Sequence, residues 1–140
     1  MNTINEQYWE SYLNTIDNIT LRTELRNYSK HIINLLRYFH EDWQKRLDVQ
    51  AGWIPLLITL HNSIAIIEPN YKIFQIKEKF GGLRYYIDYP SDISKVAKEI
   101  IFNLIHSAEQ QSFTICEICG QQGELSKTNY WFKTRCSVCV

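Results

Sequence analysis

Four cysteines, the only ones in the chain, fall in two pairs: Cys116-Glu117-Ile118-Cys119 and Cys136-Ser137-Val138-Cys139, with sixteen residues between the pairs. Two residues between ligands let one tight turn aim both sulfurs at a single ion. A spacer of this length forms a hairpin that returns the second pair to complete a tetrahedron. Gly120 follows the first pair and suits the positive φ such a turn takes. The pattern predicts a zinc ion (Zn2+) held by Cys116, Cys119, Cys136 and Cys139. With four thiolates filling the coordination sphere, the site is expected to be structural, not catalytic. Two disulfides are the competing chemistry and belong to oxidising compartments. The polar residues after Met1 (Asn2, Thr3, Asn5, Glu6, Gln7) do not read as a secretory leader, so a cytoplasmic protein is expected.

Other chemistry is thinly supplied. His31, His40, His61 and His106 are scattered, and no two share a metal-binding spacing. Each is expected to be a satisfied, partly buried side chain. No phosphate loop, nucleophile elbow or zincin motif occurs. The chain is therefore expected not to be an enzyme, a centre at Glu78 and Arg84 being the weaker alternative. The formal net charge is zero, so nothing global draws the chain to nucleic acid. No apolar run reaches the roughly 18 residues of a membrane span.

The elements that must position the cysteines follow from periodicity. Residues 4–17 read as a first helix through Ile4, Tyr8, Trp9, Tyr12, Leu13 and Ile16. Residues 20–48 read as a long helix or a broken pair, with Leu21 to Leu47 on one stripe, Trp43 among them. Gly52 is expected to stop that helix. Trp53-Ile54-Pro55 starts the next, which ends before Pro69, and Trp43 and Trp53 are both expected in the core. The period then falls to two. Phe74 and Ile76 are assigned to one strand face, and Tyr71, Ile73, Gln75 and Lys77 to the other. Gly81-Gly82 turns the chain into a return strand, giving a hairpin over 71–89. Ser91 is read as the cap of a last helix running to about residue 110. Phe113, Ile115, Trp131 and Phe132 are the expected docking residues of the metal module. The predicted fold is α+β: a helical domain (1–112) on a two-stranded antiparallel hairpin, with a zinc-ribbon or knuckle module (113–140) docked on it.

The hairpin concentrates positive charge. Lys72, Lys77, Lys79 and Arg84 face the single Glu78, with Tyr86 beside them. Basic groups beside aromatic platforms form a candidate contact surface for an anionic partner. Alternatively the charges simply solvate the hairpin and discourage edge pairing.

Gly52-Trp53-Ile54-Pro55-Leu56, Gln75-Ile76-Lys77-Glu78-Lys79-Phe80-Gly81-Gly82-Leu83-Arg84-Tyr85-Tyr86, Ser112 to Gly120 and Trp131 to Cys136 together resemble a family of small bacterial and phage proteins. The resemblance spans about residues 52–139, and the Lys-Glu-Lys-Phe-Gly-Gly-Leu-Arg string is its most specific part. That family has no settled activity to carry over. Some members resemble this chain but have histidine where Cys139 stands. Cys139 lies one residue from the last, so a ribbon or knuckle is expected, not a finger with a following helix. The resemblance implies a bacterial or mobile-element origin. By analogy it implies a protein partner, with the chain acting as an immunity-type inhibitor of a toxin or other effector. The runner-up expectation is a regulator binding nucleic acid through Lys77, Lys79, Arg84, Lys127, Lys133 and Arg135.

Overall fold

The computed structural model describes residues 3–128 and 130–140. Three short helices come first: α1 (Ile4–Asn14), α2 (Ile19–Arg26) and α3 (Ser29–Leu36). Thr3 caps α1 by accepting from the Glu6 amide, and Asn18 caps α2 by accepting from the Leu21 amide at 3.0 Å. These bonds satisfy amides that a helix start leaves without partners. Trp9, Leu13, Leu25, Ile32, Leu35 and Leu36 turn inward.

The helical reading fails after Leu36. Phe39 bridges to Ile73 in parallel, with His40 N–H donating to Ile73 O and Ile73 N–H donating to Tyr38 O, both at 2.8 Å. Leu47–Asp48 forms β1, which pairs in parallel with Ile76–Lys77. The sheet thus has three strands, in the order β1-β2-β3, where a two-stranded hairpin was expected. The cause is backbone satisfaction. The free edge of β2 (Lys72–Lys79) carries donors and acceptors that need partners, and this segment supplies them. Trp43, expected in the core, is instead 52% exposed.

A short 3-10 turn (Ala51–Trp53) leads into α4 (Ile54–Ile67), with Pro55 in its first turn where no amide is needed. Gly52 belongs to that turn and does not simply end a helix. α4 is the central element, burying Ile54, Leu57, Leu60, His61 and Ile64. β2 then pairs antiparallel with β3 (Gly82–Asp88). A register shift between Ile73 and Gln75 overturns the strict alternation expected of β2. The extra residue lets Ile73 and Ile76 both reach the core and leaves Phe74 outside, against Trp43 and His40.

α5 (Lys95–Ser112) is capped by Ser94, not Ser91, and packs on α4 and β3. It also closes the sheet: the Leu83 and Tyr85 amides donate to Ser112 Oγ (2.9 Å) and Glu109 Oε2 (3.1 Å). The chain ends in a second hairpin, β4 (Glu124–Thr128) with β5 (Trp131–Arg135). The only non-glycine residues with positive φ among those described are Phe80 (54°) and Tyr130 (64°), each at the turn of one of the two hairpins. A left-handed conformation costs an ordinary side chain about 1 kcal/mol.

Candidate metal centre and its joint to the body

The first cysteine pair sits in a turn whose backbone is already closed. Cys116 N–H donates to Gln121 O at 2.7 Å, and Gly120 N–H donates to Cys116 O at 2.9 Å, with Gly120 at φ +85°. In the second turn, the amides of Cys139 and Val138 donate toward Cys136 and pull its thiol down to about 6. Burial pushes the Cys119 thiol up, while the Gln121 amide opposes the rise. Amides aimed at sulfur favour the thiolate, the form a metal takes.

The four sulfurs lie within 4.8 Å of one another and none is bridged. The Cys119–Cys136 pair is 3.6 Å apart, well beyond the roughly 2.05 Å of a disulfide. Four sulfurs about 2.3 Å from a central zinc would stand about 3.8 Å from one another. The cluster therefore fits a tetrahedral ion, and these four residues could hold one.

The module is fastened to the body by both backbone and side-chain bonds. Gly52 N–H donates to Glu117 O at 2.7 Å, and a Cβ on Gly52 would sit 2.0 Å from Cys116 O. Trp53 Nε1–H donates to Ile115 O at 2.9 Å, and Gln50 N–H donates to Glu117 Oε2 at 3.1 Å. Gly82 lies under the Phe113 ring, where a Cβ would meet Cζ at 2.5 Å. Thr134, fully buried, donates its hydroxyl to Gly81 O at 2.6 Å. Glu78 accepts from Gly81 N–H at 2.7 Å and faces Lys133 Nζ at 3.9 Å. Burial raises the Glu117 carboxyl, against the Gln50 amide and the charges of Arg135 and Lys133. Gly52-Trp53, the Glu78–Gly82 tip and the first cysteine turn therefore meet at one joint.

The expected contact residues separate. Glu78 belongs to the joint. Lys77 pairs across the strands with Arg84, and Gln75 with Tyr86, which puts them on the outer face of the sheet with Phe74 and Trp43. Lys72 lies opposite Asp88 at the far end of the hairpin, and Lys79 lies at the tip. Arg135 turns inward, its Nη1 buried. Of the expected docking residues, Phe113 and Ile115 do dock and Phe132 packs edge-on against Phe80 (5.6 Å), whereas Trp131 is 64% exposed. Sequence reasoning missed Trp43 as a surface residue because its spacing from Phe39 and Leu47 imitates a helical stripe.

His61 is fully buried and satisfied. Nδ1 meets Tyr71 Oη, which lies 2.8 Å from Tyr85 Oη, and Nε2 meets the Asn34 amide at 3.2 Å. Burial lowers the imidazole to about 4 and raises both tyrosines. The two tyrosines gave no separate signal, since each reads as one more alternating strand residue.

No family model, curated protein or solved structure matches the chain. Among the described residues, no helix is long and apolar enough to cross a membrane.

Proposed function

We propose that this chain is a non-enzymatic protein-binding module closed by a structural zinc, of the inhibitor type that neutralises a bacterial toxin or other effector in the cytoplasm. One observation carries the reading: the outer face of the sheet is left uncovered and presents Trp43 and Tyr86, 52% and 42% exposed, with Phe74, Lys77 and Arg84 around them. Tryptophan, tyrosine and arginine are the residue types that dominate binding energy at protein interfaces. Ring contacts at 5.3 Å join Trp43 to Phe74 and Phe74 to His40, so these rings brace one another. The sulfur cluster supports the zinc assignment by donor type and spacing, and free thiols suit a reducing compartment. When bound, the ion supplies folding energy to the C-terminal module.

The test is co-expression with the product of the adjacent gene. A stoichiometric complex is expected, weakened at least about tenfold by Trp43→Ala, the scale of an interface hot spot. A complex indifferent to Trp43→Ala and Tyr86→Ala, or no complex at all, refutes the reading.

A further inference from the structure

The tip of the β2–β3 hairpin meets the side of the β4–β5 hairpin, forming a second surface separate from the outer sheet face. Thr134 and Lys133 join β5 to the β2–β3 turn, and the Phe80 and Phe132 rings lock edge to face. Phe80 (59%) and Trp131 (64%), next to Phe132 in β5, are exposed rings of these two hairpins, and Tyr130 (100%) is exposed at the β4–β5 turn. Each lysine here lies over a ring: Lys79 Nζ is 5.5 Å from the centre of Phe80, Lys127 is 5.7 Å from Phe132, and Lys133 is 5.1 Å from Trp131. Glu78 faces Lys133, but no carboxylate among the described residues lies within ion-pair distance of Lys79 or Lys127.

Phe80 and Tyr130 also hold the left-handed conformation that glycine or asparagine takes more easily at such turns. Two turns that accept this strain, each presenting an aromatic ring to solvent, suggest a surface kept for display. From this arrangement we infer that the two joined hairpins bind single-stranded nucleic acid, bases stacking on Trp131 and Phe80 while Lys79, Lys127 and Lys133 take the phosphates. A nucleotide carries a flat π face and an anion on one unit, matching a ring and an ammonium held side by side. An acidic protein surface would satisfy the lysines and leave the flat rings without stacking partners. Phosphates displace the ammonium groups from the rings, and bases take the vacated faces. Two or three neutralised phosphates give a weak, salt-sensitive interaction, with a log–log salt slope of about −1.4 to −2 for a single strand.

The test is anisotropy of a labelled oligothymidylate of about twelve nucleotides with the metal-loaded full chain. Binding in low salt with that slope is expected, and Trp131→Ala should weaken it about tenfold. Phe80→Asn suits the turn, so it should keep or raise the melting temperature while also losing affinity. Lys127→Glu is a second variant that leaves the rings in place, and it should lower both affinity and slope. Trp43→Ala, on the other face, should bind as the parent does, so this inference and the proposed protein-binding face stand or fall separately. No binding at low salt, equal affinity for duplex DNA, equal competition by polyglutamate, or binding unchanged in Trp131→Ala would each overturn the inference.

Discussion

The helical body and the C-terminal module are held together by different physics. Apart from Cys116, the buried hydrophobic side chains run from Trp9 to Ala108. Beyond Phe113, the buried residues among those described are Cys116, Glu117, Gly123 and Thr134: a sulfur, a carboxylate, a glycine and a hydroxyl. The body is stabilised by excluded water and the module by directional bonds and four sulfurs. A module with so little apolar area cannot fold by burial alone. It borrows rigidity from the body through Gly52 and Trp53, and an ion held by its four sulfurs would supply the rest.

Removing the metal should produce the largest effect. Chelation is expected to abolish hydrogen-exchange protection at the Cys116, Gly120 and Gly123 amides while α3 and α4 keep theirs. Simultaneous loss in both regions would erase the distinction between them. Next comes Gly52→Ala. Its methyl group would collide with three backbone atoms of the first cysteine turn, the nearest at 2.0 Å. A loss of about 3 kcal/mol or more is expected in denaturant melts, with metal passing more readily to a competing chelator.

Acid tests the body through His61. Its folded-state pKa lies below the ordinary 6.5, at about 4, so the unfolded chain takes up the proton first. The stabilisation is present above about pH 6.5 and is lost as the pH falls toward 4, by at most about 3 kcal/mol. Melts of the parent and of a His61→Phe variant over that range should differ in slope, and parallel curves would mean that His61 is not held neutral. The smallest effect is expected from Thr134→Val, which removes the hydroxyl bond to Gly81 O. About 1 kcal/mol should be lost, with increased exchange where the two hairpins meet and none in α4.

The clustering of the four cysteines was legible because the pairing that would suit a tetrahedral ion is written in local spacing. The α+β class, α1, α4 and α5, and the β2–β3 hairpin were legible for the same reason, each having its own period. Residues 37–48 were not. Phe39, Trp43 and Leu47 fall at steps of four, but what decided their fate was the unpaired edge of β2, about thirty residues away in sequence. The shift at Phe74 follows from core geometry that no alternation pattern contains. Gly52 looked like a helix terminator. Its actual requirement, a carbonyl from Cys116 packed where a methyl group would stand, exists only once the chain has folded. The Lys-Glu-Lys-Phe-Gly-Gly-Leu-Arg string drew attention as a charged surface, yet Glu78, Gly81 and Gly82 serve the joint.

The hydroxyl and carboxylate that α5 lends to Leu83 and Tyr85 have a further consequence. They occupy amides along the outer rim of the sheet, the groups through which extended peptides add themselves as a new strand. That route to a partner, and to runaway self-association into fibrils, is blocked on this side. Whatever recognises this protein there must read side chains.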